Sequence, residues 1–239
     1  MKKILITGCS RGLGLTLAES FLGEGNEVFG CARNQTDGVR ELIKKYGDRF
    51  HFFEVDLSQD GFLDVMHTHV PILDGLDCCV FNAAAGVDGL LASMSESDMR
   101  RAIELNLISP MLLAREVVKG MLIQGGGNLI FISSIAAKIG FKGLSVYSAT
   151  KSAITGFSKT LAREYGAKGI RSNVVLPGFL ETEMSGGLQN KQIESIKRRI
   201  PVGLLGQTSD VVGVVEFLMS EDANYVNGTE IVVDGGMSS

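Results

Sequence analysis

Hydrophobic residues gather along this chain in short, dense runs. Residues 3–7, 27–32, 50–55, 77–82, 128–133, 171–176 and 230–233 are rich in Ile, Val, Leu and Phe. Most of these runs are apolar throughout rather than alternating with polar positions. That pattern predicts strands covered on both faces, as in a parallel sheet. Helix-length segments separate them, at 13–25, 38–46, 59–70, 96–124, 146–168 and 209–220. Strand and helix alternate, which implies right-handed crossover connections. The expected fold class is α/β: a doubly wound, seven-stranded parallel sheet with helices on both faces, in a single domain over residues 1–239. One compositional break, 178–201, holds Gly186-Gly187 and then a charged amphipathic run from Lys191 to Arg199. It reads as an excursion over a site, with 179–200 as a substrate lid, and not as a linker.

Composition narrows the function classes. Lys+Arg 23 against Asp+Glu 27 gives a net charge of −4. Nucleic acid and anionic membranes select a net basic surface, so neither is an expected partner. A phosphorylated small molecule needs only a local pocket and stays open. The apolar stretch after Met1-Lys2-Lys3 is short for a signal peptide, and no apolar run approaches a membrane span, so a soluble cytoplasmic protein is expected. Cys9, Cys31, Cys78 and Cys79 form no CxxC pattern and no cluster with histidine. Neither a disulfide framework nor a zinc site is expected. His67 and His69 make an HxH with no third ligand, and no metal is expected there either.

The first strand runs into Thr7-Gly8-Cys9-Ser10-Arg11-Gly12-Leu13-Gly14, and a helix follows. The spacing is GxxxGxG. Gly8 permits a tight turn, Gly12 lets backbone approach a pyrophosphate, and Gly14 allows helix and strand to pack closely. The helix N-terminus then offers free N–H groups and a positive dipole end to phosphates. This is a Rossmann-type dinucleotide signal in the strand–turn–helix context it requires. The second strand ends Gly30-Cys31-Ala32-Arg33-Asn34, without the carboxylate that would accept from a ribose 2′-hydroxyl. Arg33 can fork onto a 2′-phosphate, and Arg11 can reach the same group, which favours NADP(H) over NAD(H).

Tyr147 and Lys151 are four apart and share a helix face. An ammonium beside a phenol stabilises phenolate, which would make Tyr147 a usable general acid. Ser133-Ser134 closes the apolar run 129–132, at the carboxyl end of a central strand. Ligands of open α/β sheets bind at that edge, and Ser134 can donate to a substrate carbonyl.

Together these residues resemble a short-chain dehydrogenase/reductase over essentially the whole chain. The resemblance is carried by the Thr7–Gly14 segment, Asp56-Leu57, Asn82-Ala83-Ala84, Asn106, Ser134, Tyr147-Ser148-Ala149-Thr150-Lys151, Asn173 and Pro177-Gly178. It implies roles. Ser134 would polarise the carbonyl, Tyr147 would protonate the developing alkoxide, and Lys151 would hold the nicotinamide ribose and depress the Tyr147 pKa. Asn106 would interrupt its helix and hold a relay water. Asp56 would contact adenine, with Leu57 beside it. Asn82, Ala83 and Ala84 would lie along the cofactor. Pro177-Gly178 would flank the nicotinamide, and Thr182 would bond its carboxamide. Ser10, Arg11 and Leu13 would complete the phosphate loop.

Within the family, 156–164, 173–184 and 228–237 are most similar to bacterial 3-oxoacyl-[acyl-carrier-protein] reductases. That implies NADPH-dependent reduction of a 3-oxoacyl thioester, carrier- or coenzyme A-linked. The alternative is another ketone or secondary alcohol, such as a sugar, polyol or steroid; a non-catalytic dinucleotide-binding regulator is more remote. Phe81 and Ala84 replace the family's first Asn and its Gly in Asn-Asn-Ala-Gly. A basic residue that grips the acidic carrier falls at Asn128, while Lys168 lies near the second such position. Lys197-Arg198-Arg199 reads as a solvated face or as an attractant for phosphopantetheine or an acidic carrier. The resemblance also implies a homotetramer built on the long helices, with Met111, Leu112, Leu113, Val117, Val118 and Met121 as an apolar surface on the first of them.

Overall fold

The computed structural model describes residues 1–72, 75–181 and 190–239. Seven strands form one parallel sheet: β1 (Lys3–Thr7), β2 (Glu27–Ala32), β3 (Phe50–Glu54), β4 (Cys78–Phe81), β5 (Gly127–Ile132), β6 (Ile170–Pro177) and β7 (Glu230–Val233). Their order is β3-β2-β1-β4-β5-β6-β7, and every pairing is parallel. The order reverses between β1 and β4, which opens a crevice at their carboxyl ends.

The strand runs are continuously apolar because both faces are covered. On one side Ile4, Ile6, Val28, Val80 and Ile130 pack beneath α1 (Gly12–Gly23), α2 (Asp37–Tyr46) and the helix Thr208–Met219. On the other, Leu5, Phe29, Cys79, Leu129 and Val174 meet the helices α3 (Phe62–His69), α5 (Ser109–Gln124) and α6 (Ser145–Tyr165). Loss of water from these two layers is the main drive to fold.

The long helix expected over 96–124 is divided. It consists of α4 (Glu96–Ile103), a π-helical turn (Glu104–Ile108) and α5. Pro110 lacks the amide that an α-helix would send to the Asn106 carbonyl, and Ser109 N–H bonds the Glu104 carbonyl five residues back. The charged run after residue 190 forms a helix, α7 (Asn190–Lys197), and Thr208–Met219 is α8. The apolar positions expected on the long helix serve mainly the core. Leu113, Val117, Val118 and Met121 are buried against the sheet, while Ile103, Ile108, Met111, Leu122 and Ile123 are the exposed ones. Among the described residues no helix is long and apolar enough to cross a membrane.

Candidate active site

The Gly-rich loop leaves β1 and enters α1 at the crevice. Gly8 has a φ of 71°, and a Cβ on it would lie 2.8 Å from the Ala83 Cα. Both facts demand glycine there. A Cβ on Gly14 would stand 2.2 Å from the Gly8 carbonyl oxygen and 2.6 Å from Asn82 Nδ2. The close neighbour of Gly14 is thus the loop itself rather than the expected strand. Ser10, Arg11, Gly12 and Leu13 form the turn, and the first N–H groups of α1 face outward without helical acceptors. A larger residue at position 8 or 14 would clash with Ala83, Asn82 or the Gly8 carbonyl and push the loop out of the shape that offers its N–H groups to phosphates.

The loop is held from behind. Thr7 Oγ1 accepts from the backbone N–H of Asn82 (3.0 Å) and Ala83 (3.1 Å). Asn82 Nδ2 donates to the Thr7 and Gly8 carbonyls at 3.1 and 3.0 Å. Asn82 therefore positions the loop with its own amide engaged. Thr7 opens the Gly-rich motif without a role of its own in the sequence reading; a hydroxyl at the end of the first strand is the signal that points to it.

Opposite the loop, at the end of β5, the Ser134 hydroxyl stands beside Tyr147 and acts to lower its pKa. The Ser134 oxygen also accepts from Ala136 N–H at 3.1 Å. The neighbouring Ser133 instead donates to the Lys151 carbonyl (3.0 Å), fastening α6 to the strand. Lys151 is buried, and its Nζ donates to the Ile132 carbonyl at 2.8 Å. Burial brings its pKa down to about 8. The ammonium lies 5.8 Å from the Tyr147 ring centroid. Burial pushes the Tyr147 hydroxyl up, with Asp88 adding to the rise and the Ser134 hydroxyl opposing it. The depression expected from Lys151 is not what this geometry yields: the lysine is turned onto a carbonyl, and desolvation of the phenol dominates.

Asn106 sits in the π turn and is buried. Its Oδ1 accepts from Ala85 N–H (2.8 Å), and its Nδ2 donates to the Ala85 carbonyl (2.9 Å) and Thr150 Oγ1 (3.3 Å). The side chain thus clamps the loop after β4 to α6. A cavity of about 20 Å³ lies between Asn106 and Lys151, walled by Thr7, Leu57, Ser109 and Pro110. That is room for one water.

A family model described as enoyl-(acyl carrier protein) reductase matches residues 8–238. The chain belongs to the short-chain dehydrogenase/reductase family. It is 35% identical over 240 residues to the 3-oxoacyl-[acyl-carrier-protein] reductase FabG of Chlamydia pneumoniae, covering 99% of this chain and 97% of that one. Among solved structures, 4-hydroxyisoleucine dehydrogenase complexed with NADH superposes with a TM-score of 0.94 at 25% identity, covering 100% and 99% of the two chains. An Agrobacterium tumefaciens protein described as a 2-deoxy-D-gluconate 3-dehydrogenase, with bound NADP, gives 0.90 at 31% identity, covering 99% and 96%. The chain is a short-chain oxidoreductase, and its family binds a nicotinamide dinucleotide.

The departures from the family pattern have structural reasons. Phe81 is buried and stacks on Phe131, with centroids 4.4 Å apart and planes 8° apart. An aromatic pair thus replaces an amide beneath the crevice. Ala84 needs no glycine, because no described non-glycine residue has positive φ. Asn128 is buried, and its Nδ2 donates to the Leu218 carbonyl at 2.5 Å, at the end of α8. It caps a helix at the far edge of the sheet and offers no surface to a carrier. Lys168 is exposed at that same far edge, in the turn before β6.

At the adenosine end, Arg33 follows β2 directly. Burial works against ionisation of Asp56, but the hydrogen bonds from Ser58 and the charges of Arg33 and Arg101 outweigh it and hold the carboxyl below its usual value. Leu57 is buried, and its carbonyl accepts from Ser109 Oγ at 2.6 Å. Thr36 caps α2 and donates to the Ser10 carbonyl at 2.6 Å, tying that helix to the phosphate loop. Beyond β6, Pro177 is buried and Gly178 N–H donates to the Val233 carbonyl at 2.8 Å. A Cβ on Gly178 would meet Asp234 Cβ at 2.7 Å. Thr182 lies outside the described residues, as do 183–189 of the expected lid. The described ends of that excursion reach the loop before α6: Phe179 meets Phe141 edge-on at 5.6 Å, and the Arg199 guanidinium lies 5.8 Å from the Phe141 centroid. Phe141 was not singled out from sequence, where a lone aromatic in a loop carries no signal. Among the described residues no group of three or more His, Cys, Asp or Glu could hold a metal.

Proposed function

We propose that the protein reduces a 3-oxoacyl thioester to the 3-hydroxyacyl form with NADPH. The observation that carries the reading is near full-length similarity to 3-oxoacyl-[acyl-carrier-protein] reductases, joined to an intact Ser134–Tyr147–Lys151 group facing the phosphate loop. The bound dinucleotide supplies the hydride. Ser134 orients the substrate carbonyl and stabilises charge developing on its oxygen. Tyr147 delivers a proton from Oη to that oxygen. Its raised pKa suits this direction, because the phenol stays protonated at neutral pH. Lys151 carries positive charge beside the phenol, and a water in the cavity next to Asn106 links the lysine to its proton supply.

Arg33, with Arg11 in the loop, takes the 2′-phosphate, and the charge of Arg33 already acts on Asp56 nearby. Coenzyme A or a free thioester fits this chain at least as well as a carrier protein, because Asn128 is a buried cap. Excursion 179–200 covers the substrate, and the exposed apolar side chains of α5 join copies of the chain into a cytoplasmic homotetramer. The test is NADPH consumption with acetoacetyl-coenzyme A, run beside NADH and beside Tyr147→Phe. Fast NADPH-linked turnover that the variant lacks supports the reading. Tight NADPH binding without turnover would sink the thioester and send the search to sugars and simple ketones. Preference for NADH would overturn the role given to the two arginines.

A further inference from the structure

The mouth of the site carries a cation that the chemistry at Tyr147 does not use. Arg199 lies on the face of Phe141, within the reach of a cation–π contact, and Phe141 meets Phe179 at 83°. The two rings come from the segments flanking the catalytic groups: Phe141 stands between Ser134 and Tyr147, and Phe179 follows Gly178 directly. The base beneath Arg199 is fixed. Ile200 is buried, Gly203 N–H returns to its carbonyl at 2.8 Å, and Val202 N–H donates to the Gly235 carbonyl at 3.2 Å. A guanidinium held by a ring at this distance spends no hydrogen-bond donor on that contact, so its N–H groups stay available for a forked bond to anionic oxygens.

The charges around it have the matching sign. No carboxylate pairs with Arg199 among the described residues, while Glu194 is paired with Lys197 and Glu181 accepts from Gln207. Lys142 and Arg198 are exposed alongside it. Lys142, Arg198 and Arg199 thus gather three cations at the mouth of a chain of net charge −4, with the carboxylates of Asp88 and Glu181 as the anionic groups nearby. We propose that Arg199, oriented by Phe141, is a specificity-determining residue that binds anionic oxygens on the substrate remote from the reacting ketone. A pantetheine phosphate and a free carboxylate share that chemistry. The inference rests on the reading above for the reacting ketone at Tyr147.

The test uses three substrates with one acetoacetyl ketone: acetoacetyl-coenzyme A, the uncharged acetoacetyl-N-acetylcysteamine, and acetoacetate. Arg199→Gln should raise KM for the coenzyme A thioester about tenfold, leave the cysteamine thioester within about twofold, and leave both kcat values unchanged. Arg199→Lys should recover most of the lost affinity. Rising salt should raise the wild-type KM for the coenzyme A thioester and leave that for the uncharged cysteamine thioester unchanged. A KM rise confined to acetoacetate would assign the anion as a carboxylate. Equal losses on both thioesters, or none on any substrate, would overturn the proposal while turnover itself upholds the thioester reading. Wild-type turnover of acetoacetate alone would remove the thioester reading, and Arg199 would then stand or fall on that substrate's KM. Turnover of none of the three would overturn both.

Discussion

Replacing Lys151 with methionine should make the protein more stable and inactive. Burial lowers the lysine from its ordinary 10.5 to about 8. That difference corresponds to about 3 kcal/mol against the buried ammonium at neutral pH. The bond from Nζ to the Ile132 carbonyl, 2.8 Å long, offsets about half of it. Methionine keeps most of the aliphatic stem, so the expected net gain is about 1–2 kcal/mol, or a Tm higher by several degrees in a chain of this size. The pH dependence fixes the cause. Below about 8 the lysine is charged folded and unfolded, and the wild type bears the full penalty. Between about 8 and 10.5 the folded lysine is neutral while the unfolded one still binds a proton, so wild-type stability rises with pH. The gap between wild type and Lys151→Met should therefore close over that window. Urea unfolding of both proteins at pH 7, 8, 9 and 10, read by circular dichroism, measures it. A methionine variant less stable at pH 7, or a gap that stays constant with pH, would refute the argument.

Other perturbations separate chemistry from scaffold. Tyr147→Phe should lower turnover by about 10³-fold or more while NADPH still binds, as read by cofactor fluorescence titration. Asn106→Ala removes three hydrogen bonds from a buried site and should cost about 2–4 kcal/mol in urea unfolding. Gly14→Ala should abolish dinucleotide binding by equilibrium dialysis, because its methyl would sit against the Gly8 carbonyl. Since burial raises Tyr147, alcohol oxidation should accelerate as pH climbs above neutral, whereas ketone reduction should hold level and then fall as Lys151 loses its proton near pH 8. Initial rates in both directions across pH 6 to 10 decide it.

Much of this molecule is written in its sequence. Seven apolar runs became seven strands, because the inner strands are covered on both faces and leave few polar positions. The turn Thr7–Gly14 kept its meaning, since its glycines answer to local geometry: positive φ at Gly8 and a contact at Gly14 that excludes a side chain. The Tyr147–Lys151 pair was legible from helix spacing joined to Ser134 at the carboxyl end of the preceding strand. Other features depend on segments distant in sequence. The break of the long helix into α4, a π turn and α5 turns on Pro110 and on an Asn106 side chain satisfied by Ala85 and Thr150. Asn128 reads as a candidate surface position until β5 is placed beside α8, where it becomes a buried cap. The ionisation of Tyr147 and Lys151 is likewise decided by burial and by which carbonyl the ammonium finds, and neither is encoded in a four-residue spacing. Local conformation and periodic burial are written along the chain; desolvation and long-range hydrogen bonding exist only once the sheet has brought the segments together.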